Sequence, residues 1–206
     1  MELFEALVKR RSIRKFEEED VDDEEIGELL TACKWAPSAG NRQPWKIVVV
    51  KEEDKIEELA RAALDQNWIT QAPVVLVVMI DKDRGEATYG ERGRELYALQ
   101  STAAAVQNML LRATDIGLGA CWIGAFDEAN VRDIVGCQKE DIKPVALIPV
   151  GHPREEPEPP GRKDITSFAF LNEYGEKEEG QWKGIDEYAK KAKRKARELL
   201  DSLRRY

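Results

Sequence analysis

The stretch "APVVLVVMI", residues 72–80, carries no charged or polar side chain. A strand with one wet face alternates apolar and polar residues, so an unbroken valine-rich run suits a central strand covered on both faces. The chain must therefore supply further strands beside this one and helices to cover it. "WKIVVV" (45–50) and "VALIPVG" (145–151) read as companion strands, and part of "GLGACWIGAF" (117–126) as another.

The helices follow from capping and spacing. A first helix is expected over about 2–10, with Leu3, Leu7 and Val8 on one face. A second opens at Asp22, with Glu25 as capping-box partner and Ile26, Leu29, Leu30 and Cys33 at helical spacing, and ends at Ala36-Pro37. Others are expected near 53–65, from 94 to 116 with Ala103, Ala104 and Ala105 permitting close packing, and from the cap Asp127 to Val135. The charged, glycine-punctuated segment 81–93 reads as a loop. From His152 to Gly180 the prolines favour an extended arm, and a closing helix over 183–205 aligns Ile185, Tyr188, Ala192, Ala196, Leu199 and Leu203.

With 206 residues, 42% hydrophobic and 35% charged, the chain suits one substantial core, alone or with a trailing extension. The apolar runs are too short for a bilayer, and "MELFEALVKR" lacks a signal-peptide pattern, which together predict a cytoplasmic protein with no membrane partner. Three dispersed cysteines argue against a disulfide framework or zinc site and favour buried free thiols. The single histidine, His152, makes a hydrolase triad or a histidine-rich metal centre a poor fit.

A net charge of −8 disfavours nucleic acid, yet "RRSIRKF" (10–16) gathers four cations and a hydroxyl. Cations after a helix contribute about 0.3–1 kcal/mol each by opposing its dipole. The same side chains can also converge on a phosphate, for which guanidinium supplies paired donors. "APSAGNRQPW" (36–45) is either a helix-to-strand turn or a polar lip facing a ring or ribose-like chain. "GLGACWIGAF" fails the dinucleotide fingerprint, because Trp122 stands where the third glycine belongs. Glycines 117 and 119 read as a helix terminator, whereas Gly124 suggests close approach of a ligand to the backbone.

In this order and spacing, "RRSIRKF", "APSAGNRQPW", "QAPVVLVV", "GLGACWIGAF", "PVGHP" and "PGRKD" resemble the nitroreductase family of FMN-dependent oxidoreductases, from about Leu3 to Asp164. The resemblance implies an α+β fold, a central mixed or antiparallel sheet covered by helices, in an intertwined homodimer. It implies an FMN-binding domain over 1–164, with 165–206 an arm and basic amphipathic helix that belongs to the same domain or clasps the partner subunit. Arg10, Arg11, Ser12 and Arg14 would hold the FMN phosphate and ribityl chain, with Arg162 and Lys163 closing on the phosphate. Pro37, Ser38, Ala39 and Asn41 would reach the partner subunit's flavin, and Ala39 departs from the serine common in the family. Asn67 would meet the pyrimidine edge, and Ile123, Gly124 and Ala125 would lie against the ring with a backbone N–H toward N5 or O4.

The chemistry so implied resides on the flavin, with no catalytic side chain and no metal. NADH or NADPH would donate hydride, and nitroaromatics, quinones or similar small molecules would accept it in a ping-pong cycle. A flavin store or sensor without rapid turnover is the alternative, and the basic terminal helix could instead serve an acidic partner or nucleic acid.

Overall fold

The computed structural model describes residues 1–175 and 183–203. These divide into two compact units, Arg10–Pro157 and Met1–Lys9 with Glu158–Tyr206.

In the unit Arg10–Pro157 the strands β1 (Trp45–Val50), β2 (Val74–Asp81), β3 (Gly119–Ala120) and β4 (Ile142–Gly151) form one antiparallel sheet in the order β1-β2-β4-β3. The valine-rich run is β2, an interior strand, as its pattern predicts. Because side chains alternate across a strand, Val74, Leu76 and Val78 enter one core while Val75, Val77 and Met79 enter the other. The first core is completed by α2 (Asp23–Lys34) and α5 (Ala98–Asp115), the second by α3 (Glu53–Ala62) and α6 (Glu128–Ile134). Each fully buried valine or leucine contributes about 1.5–3 kcal/mol, so covering both faces of β2 is the main stabilising term. β4 bulges opposite Val78 and Met79, which pair with Ala146 and Pro144. The bulge fits a proline that has no ladder N–H to give.

The caps behave as the sequence predicts. Asp22 Oδ1 accepts from the Glu25 N–H at 2.7 Å, while Glu25 Oε2 accepts from the Asp22 N–H at 3.0 Å. Asp127 Oδ1 accepts from the Asn130 N–H at 2.8 Å and starts α6. α2 and α5 are joined across their flank by Arg112 to Glu28 at 3.0 Å and by Asn108 Nδ2 to the Ala32 carbonyl at 3.2 Å.

Segment 81–93 departs from the loop expectation and forms a helix, α4 (Lys82–Arg92), followed by a π-helical turn, Gly93–Tyr97, that leads into α5. Its glycines are there for contact rather than flexibility. A Cβ on Gly85 or on Gly93 would fall inside the van der Waals surface of the other's carbonyl oxygen, so the two turns can cross this closely only without side chains. Gly90, at φ 57° and ψ −150°, interrupts the helix near its end. Arg94 binds the crossing together, reaching Asp83 at 3.0 Å, Glu86 at 2.9 Å and Asp141 at 2.5 Å.

The expected strand in "GLGACWIGAF" shrinks to β3, supplemented by a bridge from Ile123 to Leu147. Gly117 ends α5 at φ 89°, as expected of a helix terminator. Gly119 has a different reason, since a Cβ there would lie 2.8–3.0 Å from three carbons of Ile13. Of the cysteines, Cys33 and Cys121 are buried and Cys137 only partly so, and all three are free. Burial pushes the Cys33 thiol up to about 11.

The second unit contains α1 (Leu3–Lys9) and α7 (Lys183–Leu203), which pack together, with Lys195 Nζ 5.2 Å from the Phe4 ring centroid. The sequence places Leu3 and Leu7 on a common apolar face, and they stand 67% and 50% exposed while Ala6 is buried. On α7, Ala192, Ala196 and Leu199 are half-buried and Tyr188 is exposed. The side chains of Ile185 and Leu203, the arm's end at 176–180, and 204–205 of the expected helix lie outside the described residues. No helix among the described residues is long and apolar enough to cross a membrane.

Candidate functional site

Residues 10–17 run extended along the edge of the sheet. Ser12 bridges Ala120 in parallel, the Ile13 N–H donates to the Ala120 carbonyl at 3.1 Å, and Phe16 bridges Pro153. Glu155 Oε1 accepts from the N–H groups of Arg14 at 2.6 Å and Lys15 at 3.2 Å, which pins the segment from its other side. Ile13 and Phe16 are buried with Ala72 and against Trp68, which anchors the segment.

In an extended chain residues 10, 12 and 14 share one side. Their surroundings agree with that spacing. Burial pushes the Cys121 thiol up, while Arg14, a hydrogen bond with Ser12, and Arg10 oppose that shift. The bridge to Ala120 thus places Ser12 beside β3, with Arg10 and Arg14 two residues to either side of it. Arg11 turns elsewhere, with its Nε donating to the Pro157 carbonyl at 3.1 Å and Nη1 to the Arg10 carbonyl at 2.9 Å. Alternation along the strand, invisible to a count of cations, separates it from its neighbours.

The Arg14 guanidinium also lies 5.7 Å from the Trp68 ring centroid. Trp68 belongs to the 3-10 turn Asn67–Gln71, which Asn67 opens. Ile123 is fixed by a reciprocal pair of backbone hydrogen bonds with Leu147, at 2.9 and 3.0 Å. Next to it, Gly124 has open space where a side chain would stand and lines a cavity of about 230 Å³ with Ile80, Lys82, Leu99, Phe126 and Lys143. No turn or packing contact in the structure requires glycine there. Open space beside a pinned backbone can admit a flat ring edge-on or face-on to Gly124 and Ala125.

The loop 37–43 is held by other elements. The Ser101 Oγ of α5 accepts from the Ala39 N–H at 3.3 Å and donates to the Tyr97 carbonyl at 2.7 Å. Ser38 Oγ accepts from the Gln43 N–H at 3.0 Å, and Gln43 Nε2 donates to Asn41 Oδ1 at 2.9 Å. Gly40, Asn41 and Gln43 all have positive φ, at 56°, 55° and 47°. A non-glycine residue held left-handed costs of order 1 kcal/mol, and such strain collects at functional sites. Pro37 precedes this loop and sets its entry from α2.

Arg162 and Lys163 belong to the second unit, where Arg162 Nη1 donates to the carbonyls of Pro160 at 3.5 Å and Gly161 at 3.3 Å. Sequence reasoning missed the contribution of the segment 152–157. Its signal is faint, because Glu155 acts on the backbone of Arg14 and Lys15 rather than through any spaced motif.

Substituting Gly119 with alanine tests the edge strand without removing a cation. The new Cβ would displace Ile13, and with it Arg10, Ser12 and Arg14. We expect flavin retention to fall several-fold while far-UV circular dichroism stays that of the wild type; full retention would mean that the edge strand moves freely.

Comparison with known proteins agrees with this geometry. The sequence model described as "Nitroreductase family" matches residues 7–71 and 61–152. A protein from Thermus thermophilus named NADH dehydrogenase is 32% identical over 184 residues, with 76% of this chain and 89% of that protein covered. The NADPH:FMN oxidoreductase of Vibrio harveyi, solved in complex with NAD+, superposes with a TM-score of 0.77 at 27% identity, covering 92% of this chain and 85% of that one. A nitroreductase family protein from Streptococcus pneumoniae gives a TM-score of 0.76 at 26% identity, covering 82% of this chain and all of its own. The match is thus to the whole sheet, both helical layers and the cationic edge strand together, and on this evidence the chain belongs to the nitroreductase family.

Proposed function

We infer that the protein is an FMN-dependent oxidoreductase that takes hydride from NADH or NADPH and delivers it to a small acceptor such as a nitroaromatic or a quinone. The observation that carries this reading is the cationic segment 10–14 laid against β3 through the Ser12–Ala120 bridge, with the open backbone of Gly124 four residues beyond Ala120. A dianionic phosphate and a flat heteroaromatic ring are the two chemical demands of FMN, and the residues present fit both.

Arg10, Arg14 and Ser12 would hold the phosphate and ribityl chain, with the cations setting a local positive field in a chain of net charge −8. Asn67 would meet the pyrimidine edge. Gly124 and Ala125 would direct backbone N–H groups at the ring, a donor arrangement that does not change with pH. FMN, when bound, would supply the hydride chemistry between nicotinamide and acceptor. The chain's own task is to orient the ring, fix its hydrogen bonds and leave one face open to both substrates in turn.

Pro37, Ser38, Ala39 and Asn41 would serve the flavin of a second copy, in a homodimer with two sites. In the second unit Leu3, Leu7, Phe168, Tyr174 and Tyr188 are exposed at 50–93%, apolar surface that favours a covering partner.

Absorption spectroscopy of the FMN-reconstituted protein under anaerobic NADH, then NADPH, tests the reading. Bleaching within seconds supports it; failure to bind FMN overturns it, and a protein that binds FMN but stays yellow with both donors supports a flavin store. Gly124→Val carries the local test. We expect FMN affinity to fall about tenfold through overpacking against the ring, with the melting temperature unchanged because nothing in the fold occupies that space; normal binding would remove Gly124 from the site.

A further inference from the structure

The helix α4 docks onto the loop 38–43 through groups that the chemistry above does not use. The Arg42 guanidinium donates to the Thr88 hydroxyl. Arg84 Nη1 donates to the carbonyls of Arg42 at 3.3 Å and Gln43 at 3.5 Å. The Tyr89 hydroxyl lies against Gly40. The Tyr89 ring meets Tyr97 edge-on at 5.4 Å between centroids, and Arg92 sits 5.5 Å above Tyr97 with its Nε donating to the Tyr97 hydroxyl at 2.9 Å. Arg42 is thus held at Thr88, the sequence neighbour of Tyr89, and Arg92 at Tyr97.

Charge on this helix is segregated. Asp83 and Glu86 are both taken up by Arg94, which also holds Asp141. Arg84 has Asp81 at 3.9 Å. Among the described residues no carboxylate lies within ion-pair distance of Arg42 or Arg92, although Glu91 is next to Arg92 in sequence. Each of these two guanidiniums has five N–H donors and gives one to a hydroxyl, so most of its donors remain for an incoming acceptor. An arginine stacked on an aromatic ring is also already ordered, which lowers the entropy lost when an anion binds.

We propose that Arg42, held at Thr88, and Arg92, held at Tyr97, form a recognition subsite for an anionic oxyacid group, phosphate or carboxylate, carried by the substrate that approaches loop 38–41. The inference rests on the reading that this loop faces a flavin. It adds a selection rule: a donor or acceptor with a charged tail placed away from its reacting ring is preferred over a neutral one. The tail meets the guanidiniums while the planar part passes the tyrosines.

Arg42→Ala, Arg92→Ala and the double variant, each loaded with FMN, provide the test. Michaelis constants are compared for NADPH against NADH and for nitrobenzoate against nitrobenzene, and binding of NADP+ and NAD+ is titrated calorimetrically. An effect of about tenfold is expected per lost charge-assisted contact. A rise confined to NADPH and NADP+ assigns the subsite to the donor's extra phosphate; a rise shared by both dinucleotides assigns it to their common diphosphate. A rise confined to nitrobenzoate assigns it to an acceptor carboxylate. Changes below twofold for every pair overturn the proposal. Titration of inorganic pyrophosphate into the same chains without FMN separates the two inferences: if FMN does not bind, the flavin reading falls, while pyrophosphate affinity lost in the double variant still supports the subsite and unchanged affinity overturns it.

Discussion

Arg14→Ala is expected to raise the dissociation constant for FMN about 10- to 100-fold, the loss of one charge-assisted contact worth about 1.5–3 kcal/mol. Arg14 is exposed, and among the described residues no ion pair joins its guanidinium; its backbone is held by Glu155 and its side chain rests near Trp68. Removing the side chain therefore leaves the fold's own bonds in place. The measurement is flavin content after exhaustive dialysis, with fluorescence titration of the released FMN. Arg11→Ala is the comparison, because Arg11 reaches the carbonyls of Pro157 and Arg10 and should act on the segment's anchoring more than on the phosphate. Equal retention in Arg14→Ala and wild type would move the phosphate away from this edge strand.

Gly93→Ala should be the most damaging methyl group that can be added to α4 and its neighbour. The new Cβ would overlap the Gly85 carbonyl, a backbone atom that cannot turn aside as a side chain does. Overpacking of this kind costs about 3 kcal/mol, equivalent to a melting temperature lower by about 10 °C in a chain of this size. Hydrogen exchange distinguishes local undocking of the helix, which raises exchange over 82–97 alone, from global loss, which raises it in the core strands as well. Wild-type protection together with a wild-type melting temperature would show that the crossing opens without cost. Gly27→Ala is the internal control, because a Cβ there meets nothing within 4 Å and alanine favours the helix by up to about 1 kcal/mol.

The same crossing responds to acid. Arg94 holds the Asp141 carboxyl below its ordinary range, and Lys82 does the same for Glu95. A lowered pKa means that the ionised, paired state is favoured in the folded chain. Its contribution is therefore complete above the ordinary carboxylate range and is lost as pH falls through the lowered values, in the region of about pH 4 and below. Exchange over 82–97 should rise there first.

The pattern of residues determined more of this protein than its weak local motifs suggest. An unbroken valine run has no wet face to offer, so β2 had to be interior; the Asp22–Glu25 box and the Asp127 cap close locally, within four residues, and read correctly for that reason. The cationic segment and Gly124 were legible as candidate site residues because charge and missing side chains are properties of single positions. Tertiary structure decided the rest. Segment 81–93 became a helix because Gly85 and Gly93 meet each other across eight residues and Arg94 gathers carboxylates from both sides, contacts that local propensity does not contain. Gly119 owes its identity to Ile13, more than a hundred residues away, and Arg11 parts from Arg10, Ser12 and Arg14 only once the edge strand pairs with β3. Pairing partners distant in sequence are set by how the whole chain packs, and it is packing that laid the cationic segment against β3.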